Sequence, residues 1–430
     1  MLERVLRRGE PLVIVKSPPG AGKTRLVETV AALAVHHGGL RVAVVTPRAE
    51  QSYDFVRRLS GSVRVQIELL QAANRQPPAD LVATLGSAIV TSPVGLRGGA
   101  GVVVGTAAKF AVSLGDLGNG AFELMICDEA YQLPYRDFAV LAALSRQHIL
   151  VGDPGQLPPL VRADIARFEA ARHHVHWPAP SELLRRLGDV PVVELPASRR
   201  LLQDTVDVVQ PAFYRDLPFA SAVDPVNAGV EFTAAGLGTP IDTALDQLAA
   251  GSTIVGLVLP AAEVPVDEVD EEIAELAAAV VHRMLERGMG DGRGSALGES
   301  DIGCADAHVA SGEAMRRHLR RRGIGAETMV ETPEIWQGLE RGVMVVKHPL
   351  SGSVAFDAFG LEPGRWCVML SRHRRGCIVL ARGGIAELLD RHQHDCADRA
   401  MGAPNAAWMG WRAHAMVWQR LEEERRLLRA

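Results

Sequence analysis

The run Pro11-Leu12-Val13-Ile14-Val15-Lys16-Ser17-Pro18-Pro19-Gly20-Ala21-Gly22-Lys23-Thr24 decides the fold. An apolar strand that enters a glycine-containing turn and then a helix aims several backbone N–H groups at one point, which suits the β- and γ-phosphate oxygens of a nucleotide. Pro19, Gly20, Ala21 and Gly22 form the cradle, Lys23 adds a positive charge, and Thr24 offers a hydroxyl to Mg²⁺. The common form of this turn opens with glycine. Here Ser17 stands in that place and fits the turn provided its φ is negative. About a hundred residues later Phe122 to Cys127 reads as a buried parallel strand, and Asp128 and Glu129 follow it. One carboxylate there holds the metal while its neighbour orients or deprotonates water. The two motifs together predict binding and hydrolysis of ATP with Mg²⁺.

The rest of the composition is that of a globular protein: 47% hydrophobic and 5% aromatic over 430 residues, room for two or three domains. A net charge of -5 gives no global basic field, so a nucleic-acid partner would be held by local arginines. The four lysines are Lys16, Lys23, Lys109 and Lys347, so Lys23 stands out in a chain whose cations are nearly all arginine. The five cysteines, Cys127, Cys304, Cys367, Cys377 and Cys396, form no C-x-x-C pair and read as reduced, buried thiols. No apolar run reaches the roughly 20 residues of a membrane span, and the expectation is that the chain enters its first strand without a cleavable leader. The expectation is a cytoplasmic protein with no membrane partner.

Short Val/Ile/Leu runs at 11–15, 41–45, 102–105, 122–127 and 148–152 alternate with helical segments such as Thr24 to His37. A second series lies at 229–233, 253–259, 301–305, 327–331, 342–348, 366–370 and 377–381, with an amphipathic helix from Asp267 to Arg287. The predicted architecture is α/β: two tandem RecA-like P-loop lobes, 1–190 and 191–430, each a mainly parallel sheet flanked by helices. The join is expected near Val190 to Pro196, and Arg287 to Glu299 reads as a glycine-rich surface loop. The tail from Asn405 to Arg429 reads as a helix whose Trp408, Trp411 and Trp418 pack onto the second lobe.

Further motifs give this chain a resemblance to the superfamily 1 helicases, in a compact bacterial-type form and closest to the 1B branch that holds the nonsense-decay RNA helicase. The most specific segment is Leu150-Val151-Gly152-Asp153-Pro154-Gly155-Gln156-Leu157-Pro158-Pro159, which is similar to that family's third motif. The resemblance implies that Gln156 senses the γ-phosphate. Val45-Thr46-Pro47-Arg48-Ala49 and Val104-Gly105-Thr106 are similar to the family's nucleic-acid contacts, implying that Thr46, Pro47 and Thr106 hold backbone phosphates without reading sequence. Ala197-Ser198-Arg199-Arg200-Leu201 and Leu370-Ser371-Arg372-His373-Arg374-Arg375 fall where the family places arginine fingers, implying Arg200 and Arg372 in that role. Val330 to Glu340 resembles the fifth motif, implying nucleotide contacts from Gln337, Gly338 and Glu340. As a whole the resemblance implies an ATPase that translocates 5′ to 3′ along single-stranded DNA or RNA.

The chain departs from the family at several positions. Arg199 stands where a base-stacking tyrosine is common, Pro333 and Trp336 alter the fifth motif, and His373 replaces the usual alanine. About fifty residues separate Ala49 from Val104 and about ten precede the first strand, too few for the inserted barrel or stalk with which relatives grip a duplex. These gaps support a second reading, an ATP-controlled clamp or switch that works with the protein subunits of a larger assembly and hydrolyses ATP without unwinding. Met315 to Arg322, the densest positive run, reads either as a solvated helix face or as a phosphate-tracking stripe. His173-His174-Val175-His176 and His392-Gln393-His394-Asp395-Cys396 have ligand chemistry but lack the spacing of a zinc site.

Overall fold

In a computed structural model of the chain, the described residues are 3–62, 65–161, 165, 168, 171–225, 228–263, 266, 269–391 and 405–430. They fall into two compact units. The first comprises residues up to Ser17, Ala21–Pro154 and Pro158–Leu195; the second comprises Pro18–Gly20, Gly155–Leu157 and Pro196–Ala430. Both are α/β, with the RecA-like architecture of parallel strands under flanking helices that the sequence predicts.

The first unit is built on β1 (Leu12–Lys16), β2 (Arg41–Thr46), β3 (Ile67–Leu70), β4 (Ile89–Val90), β5 (Gly101–Thr106), β6 (Phe122–Cys127), β7 (Ser145–Gly152) and β8 (Val192–Glu194). They lie in the order β4-β3-β5-β2-β6-β7-β1-β8, every neighbouring pair parallel. Alternate side chains point to opposite faces, so Val13 and Val15 pack with Val27, Val30 and Ala31 of the helix Lys23–Gly38. Ile14, between them, packs on the other face with Val103, Phe110 and Phe138. Helices on both faces explain why these strands read as unbroken apolar runs rather than alternating ones.

The second unit contains β9 (Ala197–Ser198), β10 (Ala220–Ser221), β11 (Glu231–Phe232), β12 (Ile254–Leu259), β13 (Met289–Gly290), β14 (Ile302–Ala305), β15 (Met329–Glu331), β16 (Arg341–Lys347), β17 (His373–Arg382) and β18 (Leu427–Arg429). Six of them form a parallel sheet in the order β15-β14-β16-β17-β12-β18. Two expectations fail here. Trp366 to Leu370, read as a strand, belongs to the helix Pro363–Leu370, which Glu362 caps by accepting from Gly364 N and which opens with proline at its first turn. All five side chains are buried, and a short helix buried over seven of its eight residues shows the same unbroken apolar run as a strand. The tail is a helix only over Ala406–Glu423; Arg425 then takes a left-handed φ of 56°, and Leu427–Arg429 joins the sheet edge beside β12.

The tail helix packs on its own unit as expected: Trp418 is buried, and Trp411 donates Nε1 to the Leu389 carbonyl at 2.9 Å. The basic run on the helix Val309–Arg321 is largely matched by carboxylates. Arg316 pairs with Glu313 and Glu331, Arg317 and His318 with Glu271, and Arg322 with Glu275. Cys127, Cys304, Cys367 and Cys377 are buried; Cys396 and the second histidine cluster lie outside the described residues. Among the described residues no helix is long and apolar enough to cross a membrane, and no group of three or more His, Cys, Asp and Glu side chains is arranged to hold a metal ion.

Candidate nucleotide site and its arginine cluster

Along the carboxyl edge of the first sheet the candidate residues fall in strand order. Thr106 ends β5 and is in register with Thr46 at the end of β2. Asp128 and Glu129 follow β6, Asp153 follows β7, and the loop from Ser17 follows β1. Adjacent parallel strands lie about 4.8 Å apart, so this short edge collects residues far apart in sequence.

The loop after β1 turns as its sequence requires. Gly20 and Gly22 take φ of 72° and 86°, a region favouring glycine, whereas Ser17 is not among the positive-φ residues and donates its N–H to the Gly152 carbonyl at 2.9 Å. Gly22 caps the helix that Lys23 opens. Lys23 Nζ lies 3.7 Å from Glu129 Oε1 and 3.8 Å from Asp153 Oδ2. Asp153 is fully buried and was not singled out in the sequence; its position directly after a parallel strand was the available signal. Burial, and then the Glu129 carboxylate, raise the Asp128 carboxyl well above its usual range, with Lys23 pulling the other way.

Glu129 itself has a φ of 50° and ψ of 42°, a left-handed conformation that costs a non-glycine residue energy and that clusters at functional sites. The packing beneath enforces it. A Cβ on Gly152 would stand 2.8 Å from the Tyr131 ring, 2.9 Å from Tyr131 N and 3.0 Å from Ala130 N, so only glycine lets the chain after Glu129 lie flat on β7.

Thr46 and Thr106 are brought side by side, with their hydroxyls engaged locally. Thr46 Oγ1 donates to the Arg48 carbonyl at 3.0 Å and lies 2.6 Å from Ser52 Oγ. Thr106 accepts from Lys109 N at 3.2 Å and so caps the helix Ala107–Val112.

In the second unit the arginines gather at the opposite, amino end of the strands. Arg372 immediately precedes β17 and is 1% exposed. Arg200 donates Nε to Glu340 Oε2 and Nη1 to the Ser371 carbonyl, the latter at 3.4 Å. Glu340, just before β16, also accepts from Arg374 Nε at 2.8 Å. Burial first, and then the neighbouring Arg372 charge, lower Arg200 to about 10 even with Glu340 attached. Burial pulls Glu340 upward, but Arg200 and Arg374 together hold it below the usual carboxylate value.

Three residues before Glu340, Gln337 keeps a buried Nε2 with no hydrogen-bond partner among the described residues, and Gly338 takes a φ of 87°. Gly155–Leu157 also belongs to this unit. A Cβ on Gly155 would meet the Tyr214 ring at 2.4 Å, and one on Gly364 would meet the Gln156 backbone at 2.7 Å, which leaves Gln156 only 7% exposed. Pro18–Gly20 is held the same way: Ser198 Oγ donates to the Pro19 carbonyl at 2.7 Å and Arg199 N to Gly20 O at 2.9 Å.

Residues 1–178 match the family described as an AAA domain. That match and the geometry of the β1 loop define the class, a P-loop α/β domain, and a second RecA-like domain follows it in the chain. None of the curated proteins matches in sequence. Among solved structures the chain is similar to the PRRSV helicase, at 16% identity and a TM-score of 0.43, over 86% of this chain and 52% of that one. It is also similar to the arterivirus nonstructural protein 10 helicase. The identity is 14% and the TM-score 0.44 over 88% of this chain and 62% of that one, and for its complex with DNA 14% and 0.43 over 87% and 61%. The chain thus spans 52% to 62% of the length of these proteins.

Proposed function

We propose that the chain is an ATPase driven by nucleic acid, coupling hydrolysis to travel along a single strand. The observation that carries this reading is the Lys23 ammonium, placed 3.7 Å from Glu129 and 3.8 Å from Asp153 at the strand ends where a two-glycine turn enters a helix. A lysine held between two carboxylates at a helix start is a poor structural salt bridge and a good phosphate ligand. The match of residues 1–178 to an AAA domain agrees with it.

In this reading the backbone of Pro19, Gly20, Ala21 and Gly22 and the Lys23 side chain receive the phosphates of ATP. Thr24 and Asp128 would hold Mg²⁺. The fit is supported by Asp128 itself, whose carboxyl is raised by burial and by Glu129, a condition that a bound cation reverses. When bound, the ion screens phosphate charge. Glu129 orients and deprotonates water, Gln156 senses the γ-phosphate, and Arg200 and Arg372 supply positive charge to the transferring group. Gln337, Gly338 and Glu340 serve the nucleotide as well. Thr46, Pro47 and Thr106 line the edge for the nucleic-acid backbone; Thr106, whose oxygen accepts the cap, keeps a proton to donate.

The test is steady-state ATPase activity without polymer, with single-stranded DNA and with single-stranded RNA, beside Glu129→Gln. Stimulation by one polymer that disappears in the variant is the expected result. Equal rates in all three conditions would overturn the motor and favour a switch that answers to protein subunits.

A further inference from the structure

His373 stands directly after Arg372, is 1% exposed, and occupies a position at which the sequence offers no chemical reason for an imidazole. Its Nε2 lies 3.3 Å from Thr205 Oγ1. Thr205 is 2.6 Å from Thr253 Oγ1, and Thr253 donates both its hydroxyl and its N–H to Asp204 Oδ2, each at 2.7 Å. Arg426 grips the same carboxylate with two nitrogens, at 2.7 Å and 2.5 Å.

The carboxylate sets the direction of every proton in this row. Asp204 only accepts, so the Thr253 proton points to it. The Thr205 proton must then fill the 2.6 Å gap to Thr253, so that toward His373 Thr205 accepts. His373 therefore carries a proton on Nε2, and burial, which pushes the imidazole down to about 4, keeps the ring neutral.

The row joins two segments that each carry an arginine. Thr205 lies in the first turn of the helix Gln203–Phe213, five residues after Arg200, and the intervening Leu201 is fully buried. We propose that His373 is a positioning residue: through Thr205, Thr253 and Asp204 it holds the Arg372 segment at a set distance from Arg200, so that the two guanidinium groups present one spacing to a transferring phosphoryl group. This rests on the ATPase reading above. The Arg372 charge acts on Arg200, which Glu340 holds while Arg372 bonds to Ser371 Oγ, and two like charges so close drift apart unless the backbones beneath them are tied; the His373 bond is such a tie.

The test compares the full chain with His373→Leu, which removes the donor, His373→Gln, whose Nε2 reaches the same place, and Thr253→Val, which cuts the row one step further on. ATPase kinetics are read beside the affinities for ADP and for ADP with aluminium fluoride. In His373→Leu kcat is expected to fall about tenfold to a hundredfold with affinity for the fluoride complex falling alongside, the loss expected when charge is misplaced by about 1 Å. ADP affinity and KM stay within about twofold. His373→Gln restores most of the activity, and adding Thr253→Val to His373→Leu costs nothing further, because both interrupt one row. The proposal is overturned if His373→Leu keeps wild-type kcat, if His373→Gln is equally impaired, or if the two losses multiply. Should His373→Leu fail to fold, a Thr253→Val protein with wild-type kcat overturns it as well. A wild type whose activity survives Glu129→Gln counts against the ATPase reading, whereas an active wild type with indifferent row variants counts against the positioning role alone.

Discussion

In the first unit the candidate residues follow their strands; in the second Glu340 and Arg372 precede theirs, and Arg200 reaches them from the turn after β9. The sheets are alike, parallel and covered by helices, so the difference lies in which end of the layer is used. At the carboxyl ends of the first sheet the helix Lys23–Gly38 presents its N-terminus, with unsatisfied N–H groups and a partial positive charge that suit an anion. At the amino end of the second sheet the helix Pro363–Leu370 finishes just before Arg372, and a helix C-terminus favours a cation. The first edge is thus prepared to receive phosphate and the second to store guanidinium groups. The difference teaches that one fold can gather polar side chains at either end of its parallel strands, with a helix N-terminus at one end and a helix C-terminus at the other.

The comparison can be broken in several ways. The largest effect belongs to the first edge, where Glu129→Gln is expected to lower hydrolysis on the order of 10²- to 10⁴-fold, the range for loss of a positioned general base. A preserved rate would remove Glu129 from the chemistry. Next is the acid response of the second unit. His373 and His414 are buried and pushed down to about 4, and His348 is lowered well below its ordinary value by burial and by His414. The unfolded chain binds more protons between these values and about 6.5, so stability is full above that pH and falls as the pH drops toward 4. The loss is on the order of 3 kcal/mol for each of His373 and His414 at most, read as a shift of the urea midpoint. A midpoint flat from pH 7 to pH 4 would contradict the burial of these rings. Half-buried His148 of the first unit is also lowered, so that unit follows the same sign more weakly.

Smaller effects sharpen the contrast. Glu340→Ala strips Arg200 and Arg374 of their shared carboxylate and should cost about 1–3 kcal/mol, discounted because Glu340 is 28% exposed. Gly152→Ala should cost a similar 1–3 kcal/mol by overpacking Tyr131, and should slow hydrolysis by displacing Glu129. Thr106→Val removes a helix cap worth about 1 kcal/mol, and a chemical denaturation series would show whether its effect on nucleic-acid affinity exceeds that.

The same contrast governs what the sequence revealed. The first edge was legible because each of its parts is a local pattern: a strand, a turn with glycines at two positions, a lysine, and an acidic pair after an apolar run. What could not be read was Asp153 as the second carboxylate facing Lys23, since that depends on β7 lying beside β1. The second unit was legible as a series of apolar runs, but Trp366 to Leu370 shows how such runs fail when a helix is buried all round. The pairing of Arg200 with Glu340 spans 140 residues, and that of His373 with Thr205 spans 168, so no window of sequence contains either. Glu340 was read as a nucleotide contact by resemblance, and its bonds to two arginines emerge only from the fold.

The most direct test of the account is single-turnover hydrolysis of prebound ATP by Arg200→Ala against wild type. If the second unit stores charge for a phosphate received by the first, the variant binds ATP as wild type does but hydrolyses it about 10³-fold more slowly. An unchanged single-turnover rate would contradict the account, leaving the arginine cluster a structural feature of its own unit.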